Sequence, residues 1–135
     1  MNVTEKRTPK RDMNMSTFGE ILRPFCERFK AIETAVLHDS LGETIDYFAY
    51  DDPFQTRLIA AHFGIVFQIA TSKLAWLGMG TVNMVEIGTA NKNCTTVLID
   101  DDIYLTVISK ESISQSIFYS SLKEVKAALK KEAGY

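Results

Sequence analysis

Cysteine is scarce in this chain. Cys26 and Cys94 are the whole complement, they lie far apart, and no metal-ligand spacing surrounds either. Cys26 falls on an apolar helical face and Cys94 opens a strand-like run, so both read as small buried hydrophobes in a reducing compartment. Basic excess is also lacking. The 15 Lys and Arg against 17 Asp and Glu give a formal net charge of -2, which leaves no global field to hold a nucleic acid backbone. No apolar run is read as approaching the ~20 residues of a membrane span. The N-terminus is polar and has no apolar core of the signal-peptide kind. The expectation is a cytoplasmic protein without an integral membrane segment and without nucleic acid as a partner.

Catalytic patterns are missing as well. His38 and His62 are uncoupled, one at a strand end and one inside a helix, and read as structural polar residues. Asp100-Asp101-Asp102 lacks the continuing alternation of oxygen ligands of a calcium loop and reads as a solvated turn. Gly78-x-Gly80 follows a helix and precedes a strand, the reverse of a phosphate loop. Serines cluster near the last helix, but none sits in a nucleophile elbow. No metal, no cofactor and no enzymatic activity are expected.

What is present is one domain's worth of chain, 135 residues, with 46% hydrophobic and 24% charged residues, which excludes disorder over most of its length. Residues 1–16 carry no hydrophobic period and are read as a flexible tail. Its basic residues Lys6, Arg7, Lys10 and Arg11 are read as solvated. Residues 17–132 form the domain. Ser16 or Thr17 can cap a first helix whose face carries Phe18, Ile21, Leu22, Phe25, Cys26 and Phe29. Pro24 should kink this helix or confine it to one side. Ile32–His38 and Glu43–Tyr50 read as strands joined by a turn at Gly42. Asp52-Pro53 then marks a strong helix start.

The helix from Phe54 to about Leu77 carries most of the information. Phe54, Leu58, Ala61, Ile65, Ile69 and Trp76 lie along one stripe. Ile59, Phe63, Val66, Phe67, Ala70, Leu74 and Leu77 fill the next. The combined apolar arc exceeds half the circumference, more than a helix needs to cover a sheet, so a second body is expected against it. Three strands follow, Val82–Gly88, Cys94–Ile99 and Tyr104–Ser109. A last helix capped by Ser112 or Ser114 runs to about Lys131. The order α-β-β-α-β-β-β-α with short strand connections predicts an α+β (α/β) fold on a five-stranded, mainly antiparallel sheet.

This order, together with two motifs, resembles the Roadblock family, named for a dynein light chain. Ala35-Val36-Leu37-His38-Asp39-Ser40-Leu41-Gly42 is similar to the family's apolar strand followed by Asp-x-x-Gly. Val97-Leu98-Ile99-Asp100-Asp101-Asp102-Ile103-Tyr104-Leu105-Thr106-Val107-Ile108 resembles its closing hairpin. The resemblance implies one long helix on one sheet face and two on the other. It also implies a homodimer formed by pairing long helices and third strands. Carried over to this chain, the dimer interface would hold Ile59, Phe63 and Phe67 of the helix and Val82, Met84, Val85 and Ile87 of the strand. Arg57 and Gln68 are left as candidates to face a partner. The function so implied is a non-catalytic adaptor or regulator that binds other proteins, such as a small Ras-like GTPase. Two alternatives stay open: a scaffold subunit without a GTPase link, and a small-ligand sensor whose pocket would use Tyr47, Phe48 and Tyr50.

Overall fold

A computed structural model describes residues 7–110 and 113–135. The elements in chain order are α1 (Thr17–Arg28), β1 (Ile32–His38), β2 (Thr44–Ala49), α2 (Pro53–Trp76), β3 (Met84–Gly88), β4 (Asn93–Asp100), β5 (Ile103–Ser109) and α3 (Gln115–Glu132). The strands form one sheet in the order β2-β1-β5-β4-β3, antiparallel at every pairing. Both the expected element order and the expected antiparallel sheet are found. The central strands β1, β5 and β4 are buried almost throughout because helices cover both faces. Alternate residues Ala35, Leu37, Leu105 and Val107 enter one core with Leu22, Phe25, Cys26 of α1 and Phe118, Leu122, Leu129 of α3. Val36 and Tyr104 point to the other face, where α2 lies.

Two local expectations need correction. Helix α1 runs continuously through Pro24, so proline does not confine it to one side. The missing N–H costs one bond to Glu20, and that cost is offset by the buried contacts of Leu22, Phe25 and Cys26 on both sides of it. Ser16 is the residue before α1, but its hydroxyl does not cap the helix. It donates instead to Asp46 Oδ2 at 2.6 Å. The expected caps Ser112 and Ser114 divide differently: Ser112 lies outside the described residues, and Ser114 precedes α3 without a side-chain cap bond.

The start of α2 follows its sequence signal. Asp52 Oδ1 accepts from Gln55 N at 2.9 Å, and Pro53 occupies the first helical position. Glycine is required where α2 meets the β1–β2 turn. Gly42 has φ +80°, and a Cβ there would stand 2.5 Å from Ala61 Cα. A Cβ on Gly64 would lie 3.1 Å from Gly42 Cα. The two glycines let backbone pack on backbone, which sets the depth at which α2 rests on the sheet.

With 24 residues, α2 is also long and apolar enough, by length and composition, to cross a membrane. This corrects the reading that no apolar segment approaches that size. Its Asp52 cap, Arg57, His62, Gln68 and Lys73 interrupt the run, and its inner face is packed on the sheet.

Candidate protein-binding surface

The helix α2 presents three small residues and one aromatic to the sheet. Thr56, Ala60, Gly64 and Phe67 are its buried positions. They recur at helical spacing and make one narrow inner stripe. The opposite side carries Phe54, Leu58, Ile65, Ile69 and Trp76, all exposed, with Phe54 at 72% and Trp76 at 85%. Leu41, on the turn beside α2, is exposed too. A groove of about 400 Å³ runs between this turn and the helix, lined by Leu41, Ile65, Gln68, Ile69 and Lys73. A row of large apolar side chains in water over most of a helix is more than scattered surface hydrophobicity and marks a contact site.

A second unpartnered feature adjoins it. Strand β3 is a sheet edge, and its residues are half-buried or exposed. Helix α2 packs chiefly on β1, β2 and β5. Val85 touches the Phe67–Val82–Tyr104 cluster, and Ile87, two residues on, shares its face and is 37% exposed. On the opposite face, Met84 joins the α1/α3 core and Glu86 accepts a hydrogen bond from the Tyr119 hydroxyl. That bond raises the Tyr119 hydroxyl to about 12.

The residues singled out from sequence divide into three groups. Ile59 and Phe63 of α2, with Met84, Val85 and Ile87 of β3, are partly or fully exposed and remain accessible. Phe67 and Val82 do not. Phe67 is 1% exposed and meets the Tyr104 ring edge-on at 4.8 Å, and Val82 closes the same cluster. Phe67 belongs to the inner stripe because it stands at helical spacing from Thr56, Ala60 and Gly64. Arg57 and Gln68 are occupied within the chain. Arg57 makes two 2.7 Å bonds to the Asp12 carboxylate, and Gln68 Nε2 donates to the Tyr104 hydroxyl at 3.1 Å.

The other candidates are structural in their surroundings. His38 is fully buried, with Nε2 2.8 Å from Thr106 Oγ1, Nδ1 2.9 Å from the Asp39 carbonyl, and its ring stacked on Tyr104. Burial pushes its pKa down. His62 is exposed on α2. Asp102 accepts from Ser40 N at 3.0 Å and Asp100 pairs with Lys130, which ties the two turns and α3 together. Among the described residues no group of three or more His, Cys, Asp or Glu is placed to hold a metal ion. Tyr47 and Phe48 are buried in packing, and Tyr50 lies under the Arg7 guanidinium, 3.8 Å from the ring centre. Cys26 and Cys94 are free and buried, and burial raises both thiols.

One centre escaped the sequence reading. Asp46 of β2 is 0% exposed and accepts from Arg11 Nη2 (2.6 Å), Ser16 N (2.8 Å), Ser16 Oγ (2.6 Å), Gly19 N (3.1 Å) and its neighbour Tyr47 N (2.7 Å). Burial alone would raise this carboxyl, but the bonds from Ser16 and Arg11 outweigh it and hold the pKa below its ordinary value. Residues 7–16, assigned from sequence to the tail, supply much of this. Arg7 donates to the carbonyls of Cys26 and Phe29 at the end of α1 and of Ile32 at the start of β1. Lys10 N donates to Ala49 O at 2.9 Å, and Arg11 donates to Tyr47 O. The arginines read as solvated are thus engaged by backbone carbonyls that need donors. Lys6 lies outside the described residues.

No protein-family model matches the chain, and no curated protein matches it. Solved structures do. A Roadblock/LC7 domain from Streptomyces avermitilis superposes with a TM-score of 0.79 at 14% identity, covering 86% of this chain and 97% of that one. MglB from Myxococcus xanthus gives 0.73 at 15% identity, covering 88% and 96%. An MglB described in a tetrameric arrangement gives 0.73 at 14% identity, covering 83% and 84%. At these identities the likeness is one of architecture, and the architecture of this chain is the Roadblock/LC7 fold.

Proposed function

We propose that this chain is a non-catalytic, cytoplasmic adaptor or regulator that works as a homodimer and binds another protein, of the small Ras-like GTPase class, on the outward face of α2. The observation that carries the reading is the exposed row Phe54, Leu58, Ile65, Ile69 and Trp76, standing opposite the face that covers the sheet. Fully burying one such side chain is worth about 1.5–3 kcal/mol, so a partner has a large apolar gain available there. A free β3 edge supports the homodimer, since an unpaired edge strand is a template for another strand. Pairing two β3 strands about a two-fold axis gives a continuous ten-stranded sheet, the arrangement that the family resemblance implies. Ile59, Phe63, Met84, Val85 and Ile87 form the expected contact between copies, with Phe67 and Val82 supporting them from within each chain. An MglB of the same fold has been solved in a tetrameric arrangement, which is in keeping with self-association. The GTPase class comes from the family resemblance and from the apolar platform, which suits a folded protein partner better than a small ligand.

Two measurements test this. Light scattering coupled to size exclusion should give twice the chain's 15.2 kDa. Pull-down of Ras-like GTPases loaded with a GTP analogue or with GDP should show nucleotide-dependent retention. A monomer at micromolar concentration removes the homodimer. Equal failure of both nucleotide forms to bind removes the GTPase and leaves the scaffold reading.

A further inference from the structure

A five-stranded open sheet has two edges, and this chain treats them differently. The outer edges are β2 and β3. Tyr50 N donates to Glu33 O at 2.9 Å, and this sets the phase of the β1–β2 ladder. Residues alternate, so the backbone groups of Tyr47 and Ala49 point away from β1. Three of these outward groups are already used. Tyr47 N donates to the Asp46 carboxylate at 2.7 Å, Tyr47 O accepts from Arg11, and Ala49 O accepts from Lys10 N at 2.9 Å. Two of the three, the carbonyls of Tyr47 and Ala49, are occupied by residues 7–16, and that segment is pinned along its length. Arg7 is bound to three carbonyls, Arg11 forms an ion pair with Asp46 at 2.6 Å, Asp12 pairs with Arg57 of α2, and the Tyr47 hydroxyl donates to Asp12 at 3.0 Å.

Strand β3 has no such cover. Leu98 N donates to Asn83 O at 3.0 Å, so the outward backbone groups of β3 are those of Met84, Glu86 and Gly88. Among the described residues nothing bonds to them.

We infer that residues 7–16 are an edge guard: they close the β2 edge to strand addition, so that copies of this chain pair only through β3 and the assembly stops at a closed two-fold dimer. An unguarded β2 edge would allow β2 of one copy to pair with β3 of the next. That contact is heterologous and does not close, and it would build an open-ended chain of sheets. The inference rests on the β3 pairing proposed above. It assigns to the N-terminal segment the role of limiting assembly size.

The test is solution mass against concentration for full-length variants. Lys10→Pro removes the N–H that bonds Ala49 O, and Arg11→Ala removes the donor to Tyr47 O. Lys10→Ala keeps the backbone donor and is the control. The double variant Lys10→Pro/Arg11→Ala should grow past twice the chain mass as concentration rises, while the wild type and Lys10→Ala stay constant. A double variant that keeps the wild-type mass throughout overturns the guard. If the double variant is unfolded by circular dichroism, Lys10→Pro alone decides, since it leaves the side-chain anchors of Arg7, Arg11 and Asp12 in place. Growth of its mass supports the inference and constancy overturns it. Glu86→Pro, which blocks an outward N–H of β3, separates the two readings. A Glu86→Pro chain that remains dimeric refutes the β3 interface, whereas constancy of the Lys10→Pro variants refutes the guard.

Discussion

Replacing Asp46 by alanine should be the most damaging single change to a polar residue in this fold. The carboxylate is fully buried and accepts from five donors, the Arg11 guanidinium, the Ser16 amide and hydroxyl, and the amides of Gly19 and Tyr47. Removing it takes the acceptor from the Ser16, Gly19 and Tyr47 amides and leaves Arg11, whose side chain is 16% exposed, without its counter-charge. Breaking a buried ion pair from one side costs about 3–5 kcal/mol. Ser16 is exposed and its amide can turn to water, whereas the amides of the buried Gly19 and Tyr47 would cost about 1–3 kcal/mol each, part of it recovered by water entering beside Arg11. A loss of about 3–5 kcal/mol is therefore expected, a large share of the ~5–15 kcal/mol that holds a domain of this size together. It should lower the thermal midpoint by roughly 10–20 °C. Urea unfolding followed by circular dichroism measures it. Asp46→Asn keeps one acceptor oxygen and should lose less. The same group sets an acid limb. Its folded pKa lies below the unfolded value, so its contribution is present above the unfolded pKa and is lost as pH falls through the folded one. The Asp46→Ala chain should show a shallower loss of stability on acidification over that range. A loss under about 1 kcal/mol, with an unchanged acid limb, would refute the claim that this carboxylate anchors α1 and residues 7–16 to β2.

Other outcomes follow from the same geometry. Gly42→Ala should destabilise by about 2–4 kcal/mol, because a Cβ would meet Ala61 backbone at a residue with φ +80°, and thermal melting of the pure variant checks it. Phe63→Asp should give monomer or aggregate by light scattering, since it puts a charge into the proposed contact between copies; a dimer of normal stability would remove Phe63 from that contact. Trp76→Ser should change stability by no more than about 0.5 kcal/mol because the ring is 85% exposed, yet it should weaken capture of the partner. Arg57→Ala should loosen residues 7–16 and be seen as faster hydrogen exchange at Lys10 N, with the sheet interior unaffected.

The sequence made the elements legible wherever local chemistry dictates them. Asp52-Pro53 starts α2 and Gly42 turns the first hairpin because these residues act on their own backbone. Asp46 was hidden because it sits in a strand as one polar residue among alternating ones, and its donors come from a segment with no hydrophobic period. The binding of Arg7 and Arg11 was hidden for the same reason, since what holds them is carbonyl geometry and not side-chain pattern.

The burial of Phe67 within the chain has a more instructive cause. A helix that covers a sheet ordinarily turns its largest apolar residues inward. Here backbone contact at Gly42 and Gly64 brings α2 so close that its fully buried positions are Thr56, Ala60, Gly64 and one aromatic, with Ile59 and Leu74 packed at the margins. The apolar arc read from sequence is therefore centred away from the chain's own sheet, on Phe54, Leu58, Ile65, Ile69 and Trp76. Close packing at two glycines and an apolar outer face are linked. The first removes the need for large side chains inside, and the second has no use in an isolated chain. That orientation leaves the arc free for the protein partner that the proposed function requires.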